Sequence, residues 1–243
     1  QIVESFQYAH PIGYQLEASR RQTPYRKRRA LHEQQISASS LSRTRNSLIR
    51  LINNNSRMWQ SDGGIIQQQF ITYTFAENIL ELTDANPLFT NYIKRLNYNY
   101  FHSKQSLARY VVVPEFQERG AVHFHCLVWG LPDETIKNER RDRIIQNLWS
   151  LGYVDCVATD GNIKLAGYLA KYMQKSMQDY RISGRKAYYC SRNVMRPVSF
   201  TSLNGLEVPD DFWDSGKILL TSKTFQTQWM GACNYQLIEK THA

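Results

Sequence analysis

Between residues 68 and 178 the apolar pattern switches repeatedly between a period of two and a helical period, and that order leaves few folds open. "QFITYTF" alternates Phe, Thr and Tyr as a strand does, with Phe70 to Phe75 at its centre. "DANPLFTNYIKRLNYNYF" follows, placing Leu88, Phe89, Tyr92, Ile93, Leu96 and Tyr100 on one helical face with Pro87 in the first turn. "LARYVVVPEF" and "AVHFHCLVWG" read as strands joined by the turn "QERG". "DETIKNERRDRIIQNLWSLG" predicts a helix ending at Gly152, "YVDCVAT" a strand, and "NIKLAGYLAKYMQKSMQ" a helix over 162–178. Strand, helix, strand, strand, helix, strand is the ferredoxin-like order, so the expected class is α+β.

The flanks are less patterned. "SLSRTRNSLIRLINNNSRMWQ" puts Leu41, Leu48, Leu51, Ile52 and Trp59 near helical spacing with arginines outside, and "SDGG" then breaks the chain. The expected organisation is a basic, largely helical segment over 1–62, a core over 63–180, and a carboxy-terminal extension over 181–243 that packs on the core. A chain of 243 residues that is 42% hydrophobic can bury one substantial core and a smaller appended unit. No apolar run approaches the roughly 20 residues of a membrane span, and neither an export nor a lipidation signal is visible.

Charge is distributed unevenly. Of the net +9, residues 1–60 carry +7, with "SRRQTPYRKRRA" packing Arg20, Arg21, Arg26, Lys27, Arg28 and Arg29 around Tyr25. Such a cluster fits a polyanion, because each neutralised phosphate releases a counterion; a solvated basic segment is the plainer alternative. Cys126, Cys156, Cys190 and Cys233 lie far apart without a C-x-x-C pair, which favours reduced thiols over disulfides or a zinc site.

Two constellations carry chemistry. On a strand, His123 and His125 point to one face while Val122, Phe124 and Cys126 point to the other. An antiparallel pairing across the short turn brings the Glu115 carboxylate beside them; Glu118, at the turn, is less well placed. Two imidazoles and one carboxylate with open positions suit magnesium or manganese holding a substrate oxygen, whereas a lone His-x-His pair is more often structural. On the last helix, Tyr168 and Tyr172 share a face, and Lys171 and Lys175 each follow a tyrosine by three positions. A phenol attacks a phosphodiester once its proton is removed and cations offset the charge. The alternative is a core-facing stripe of Leu165, Tyr168, Leu169 and Tyr172.

In this order, "FITYTF", "HFH" in "RGAVHFHCLV" and "YLAKYMQK" resemble the three motifs of the HUH endonuclease superfamily, most closely the rolling-circle replication initiators of bacterial plasmids and small single-stranded DNA phages. The resemblance covers about residues 68–178. It implies a ferredoxin-like or RRM-like core whose five-stranded antiparallel sheet, flanked by helices, carries a metal held by His123, His125 and Glu115. It implies nicking of single-stranded DNA by Tyr168 or Tyr172 through a 5′-phosphotyrosine, with Lys171 or Lys175 offsetting charge. DNA contacts are expected from Thr72 and Thr74 of the first motif, from Arg26, Lys27, Arg28 and Arg29, and from Arg185 and Lys186 in "SGRKAYYCSRNVMRP", which otherwise reads as a surface loop. The implied partners are an origin in single-stranded form and a separate host helicase, since no G-x-x-x-x-G-K-[ST] occurs; no nucleotide cofactor and no membrane are expected, and the implied setting is a bacterial cytoplasm. Spacing leaves open which tyrosine reacts. A Y1-type transposase and a non-catalytic single-strand binding module also remain open.

Overall fold

The computed structural model describes residues 2–8, 38–57, 60–61, 64–65, 68–131, 138–159, 164–197, 217–227 and 231–240. In chain order these form β1 (Ile2–Tyr8), α1 (Ala38–Arg57), β2 (Gln60–Ser61), β3 (Gly64–Ile65), β4 (Gln68–Thr74), α2 (Leu82–Phe101), β5 (Arg109–Phe116), β6 (Val122–Trp129), α3 (Asn138–Trp149), β7 (Val154–Thr159), α4 (Lys164–Ser176), β8 (Tyr189–Cys190), β9 (Lys217–Thr227) and β10 (Gly231–Lys240), with a 3-10 turn at Tyr180–Ile182. The chain divides into two units, one of residues 30–196 and one joining residues 1–29 to 197–243.

The larger unit is the α+β fold that the pattern predicts. Its five strands lie in the order β7-β4-β6-β5-β8, every neighbouring pair antiparallel. The β4-α2-β5-β6-α3-β7 run supplies four of them in ferredoxin-like order. Because side chains alternate along a strand, β4 and β6 send Tyr73 and Phe124 to one face and Thr72, Thr74, His123 and His125 to the other. Tyr73 and Phe124 meet an aromatic cluster from α2 and α3: Tyr73 lies 4.8 Å from Tyr92 and 5.0 Å from Trp149, and Phe89 lies 4.8 Å from Phe124, by ring centroids. The buried Tyr73 and Tyr92 hydroxyls satisfy each other at 2.7 Å, so the cluster holds no orphaned phenol. Helix α4 covers the histidine face over β5 and β6, and α1 packs beside α4 with Leu48, Leu51 and Ile52 buried.

Some boundaries depart from the sequence reading. Helix α2 begins at Leu82, two residues before the predicted start, so Pro87 falls in its second turn; Pro87 is exposed, so water reaches the carbonyl its missing N–H leaves unpaired. "SDGG" spans a two-strand pairing, Gln60 with Ile65 and Ser61 with Gly64. Residues 2–8, inside the segment expected to be largely helical, form a strand paired with β10, because "IVESFQY" has a strand's composition and finds a partner more than 200 residues away. The fifth strand of the main sheet is Tyr189–Cys190, pairing Cys190 with Val111 and Tyr189 with Val112. All four cysteines are free thiols.

Gly152 positions the lead-in to β7. A Cβ there would overlap the carbonyl oxygen of Thr74 and the nitrogen of Ala76, both backbone atoms that cannot swing aside. Thr74 and Ala76 also make the bonds that close this corner, Thr74 N–H to Tyr153 O at 2.9 Å and Ala76 N–H to Leu151 O at 2.8 Å. Gly152→Ala is therefore expected to cost about 3 kcal/mol, read as a lower midpoint in urea, by forcing β7 off β4. An unchanged midpoint would mean that the corner tolerates a methyl group.

Candidate active site

The antiparallel register of β5 and β6 sets Glu115 directly opposite His123, and Val113 opposite His125. All three polar side chains share one face and are nearly buried, with relative exposures of 8% for Glu115, 6% for His123 and 4% for His125. The carboxylate bonds the diagonal histidine: His125 Nε2 lies 2.5 Å from Glu115 Oε2. A carboxylate only accepts, so Nε2 carries a proton, and Nδ1 lies 3.2 Å from Thr72 Oγ1. Thr74 Oγ1 stands 3.5 Å from His123 Nδ1, while His123 Nε2 is buried without a hydrogen-bond partner among the described residues. Thr72 and Thr74 thus orient the two rings. They sit opposite the histidines in the β4–β6 register, a relation that the two-residue strand period could have revealed.

Helix α4 closes over this patch. The Tyr172 ring stacks on His125 with centroids 3.6 Å apart, Phe70 supports Tyr168 edge-on at 5.4 Å, and the two tyrosine hydroxyls are hydrogen-bonded at 2.5 Å. Tyr168 is 44% exposed. Burial pushes the Tyr172 phenol up, and its bond to Tyr168 and the nearby Glu115 charge add to that. Lys175 reaches across to Glu115 Oε1 at 2.6 Å, and Ser176 Oγ donates to the Pro114 carbonyl, so the end of the helix is fastened to β5. Lys171 is exposed and has no ion pair among the described residues. The structure therefore joins His123, His125, Glu115, Tyr168, Tyr172 and Lys175 into one cluster. Arg185 and Lys186 are exposed in the loop before β8, and no bond among the described residues links them to it. Arg26, Lys27, Arg28 and Arg29 lie outside the described residues.

The electrostatics are those of a charged group held in place. Burial alone would raise the Glu115 carboxyl, but hydrogen bonds from His125 and Lys175 override it and hold the group at about 2. Burial lowers His123 to about 4, with the neighbouring His125 charge acting in the same direction. Among the described residues no three His, Cys, Asp or Glu side chains form a ready cage for a metal. The donor types do fit one: the unpartnered His123 Nε2 offers a free lone pair, and a divalent cation would replace the His125 proton and compete with Lys175 for the carboxylate.

The His123 shift carries a pH signature. Its native value is depressed below the ordinary 6.5, so above that pH both states are neutral and nothing is lost. As pH falls from 6.5 towards about 4, the unfolded chain takes a proton that the native ring declines, and stability drops. The Glu115 contribution is lost only lower, between 4.5 and about 2. Urea denaturation from pH 7.5 to 4.5 should show this slope in the metal-free protein, and His123→Gln should flatten it. Equal slopes in the two proteins would remove His123 as the cause.

Residues 68–177, from the first residue of β4 to just past α4, match a family model described as Replication-associated protein ORF2. The core is similar to replication-associated proteins. The matched span holds Glu115, both histidines, both tyrosines and both lysines of the two motifs. Comparison with curated proteins and with solved structures gives no significant match. No described helix is long and apolar enough to cross a membrane.

Proposed function

We propose that this protein is a replication initiator that nicks single-stranded DNA and transfers the cut strand through a tyrosine, as in the HUH superfamily. The similarity to a replication-associated family supports the role, and the observation that carries the chemistry is the stacking of Tyr172 on His125, with the Tyr168 hydroxyl bonded to that of Tyr172. Nucleophile candidates and metal-ligand candidates then belong to one site. His123, His125 and Glu115 would hold magnesium or manganese, which when bound supplies polarisation of the scissile phosphate.

Tyr168 is the better first nucleophile, because its ring is exposed while the Tyr172 phenol is pushed up. Its exposed hydroxyl gives its proton to solvent water, and the Tyr172 hydroxyl donates to the resulting phenolate. The phenolate oxygen attacks phosphorus, the bond to the 3′-oxygen breaks, and that oxygen takes up a proton. The products are a 5′-phosphotyrosine and a free 3′-hydroxyl. Attack by a 3′-hydroxyl on the phosphotyrosine reverses the chemistry and returns the tyrosine without ATP. Lys171, three residues after Tyr168, is free to offset phosphate charge. A DNA origin, a separate helicase and a bacterial cytoplasmic setting complete this reading. The test is incubation with single-stranded DNA and manganese, followed by a search for protein shifted by covalent DNA; no adduct under any divalent metal would overturn it.

A second reading, a non-catalytic single-strand binding module, is favoured by the Lys175–Glu115 ion pair, which already engages the carboxylate. The two readings part at Lys175. If Glu115 is a ligand, Lys175→Ala should tighten manganese binding by roughly fivefold in calorimetry, the scale of one exposed ion pair, while slowing transfer through Tyr172. Unchanged manganese affinity would take Glu115 out of the metal site.

A further inference from the structure

Edge strand β7 carries a feature that the chemistry above leaves unused. The register pairs Thr72 with Asp155 and Phe70 with Val157, and Thr74 N–H donates to Tyr153 O. Tyr153, Asp155 and Val157 therefore share the face of Thr72, Thr74 and the histidines. On that face α4 packs over β5 and β6, and among the described strands β4 is the sole neighbour of β7. Tyr153 is 66% exposed and Val157 50%, while Asp155 is exposed between them. None of the three side chains makes a hydrogen bond, ion pair or ring contact among the described residues. Folding does not call for them: the buried side of β7 is the other face, where Val154 sits.

The strip adjoins the tyrosines. Val157 is the strand neighbour of Phe70, about 5 Å away, and Phe70 is the ring on which Tyr168 rests. Charge then selects what lies over it. An unpaired carboxylate repels a phosphate but accepts hydrogen bonds, and the groups of single-stranded DNA that supply them are the amino-bearing base edges. An exposed phenol ring two residues away offers a base a stacking surface that excludes no sequence.

We propose that Tyr153, Asp155 and Val157 form a base-reading strip beside the tyrosine site, Tyr153 by stacking and Asp155 by accepting from a base that carries an exocyclic amino group. The proposal rests on the nicking reading only in taking single-stranded DNA as the ligand.

The full chain carrying Tyr168→Phe and Tyr172→Phe binds without cleaving, so it reports recognition alone. It is titrated by fluorescence anisotropy and used to select from a randomised single-stranded library. Adding Tyr153→Ala should weaken binding about tenfold on every selected sequence, with an unchanged slope of affinity against salt because no phosphate contact is lost. Tyr153→Phe, which keeps the ring, should bind as its parent does. Asp155→Ala should lose the preference for an amino-bearing base at one selected position. Parental affinity in Tyr153→Ala with unaltered preference in Asp155→Ala overturns the strip, as does a reduced salt slope in Tyr153→Ala. The adduct assay on the unmutated chain separates the two ideas: absent adduct with these binding effects intact removes nicking and leaves the strip, and adduct without them does the reverse.

Discussion

Replacing both Tyr168 and Tyr172 by phenylalanine is expected to lower covalent adduct formation by at least roughly a thousandfold, the scale of losing a nucleophile outright. Phenylalanine keeps the ring that stacks on His125 and the edge-on contact with Phe70, so the helix has no reason to move. The single variants differ because the two hydroxyls differ. Tyr168→Phe should lose the first cleavage on a linear oligonucleotide. Tyr172→Phe should still cleave, about tenfold more slowly without the hydrogen bond to its neighbour, and should fail at the second transfer on a substrate with two origins. Adduct formation at the normal rate by the double variant would mean that neither phenol attacks.

The second large effect is expected from the histidines. His123→Ala with His125→Ala should abolish nicking, again by about three orders of magnitude, while leaving most of the DNA affinity, which comes from phosphate contacts elsewhere. His123 gives the cleaner half of the experiment. Its Nε2 has no partner among the described residues, so removing it breaks no bond there at that atom, and a small stability change beside a complete loss of nicking would be the mark of a ligand. His125 is less separable, because it supports Tyr172 and bonds Glu115. Undiminished nicking by the double variant with added magnesium or manganese would exclude a metal site here.

The elements of the core were legible because each follows a local rule. Alternation announced β4, β5, β6 and β7, helical spacing announced α1, α2 and α4, and the short turn at "QERG" forced the antiparallel register that sets Glu115 opposite His123. What lay beyond the rules was rotamer and distance. Sequence spacing puts Glu115 across from His123, yet the side chain leans to His125, and its second oxygen is taken by a lysine 60 residues on. The i, i+4 relation of the tyrosines gives a shared helical face but not which phenol is exposed. The pairing of β1 with β10, and the two-residue strand β8, were hidden for a different reason: their partners are remote in the chain, and nothing local marks them.

Strand β6 lies between two others with every residue from Val122 to Trp129 buried, so its two faces are equally closed to solvent but answer to different demands. Phe124 and Cys126 face the aromatic layer and are constrained by volume. His123 and His125 are constrained by the lone pairs they present. From His123 to Cys126, tolerance to substitution therefore alternates in kind and not in degree: at one residue any group without a ring nitrogen is the injury, and at the next a larger or smaller apolar group. A lineage drifting away from DNA chemistry could exchange His123 and His125 for apolar residues while Phe124 and Cys126 stay as they are.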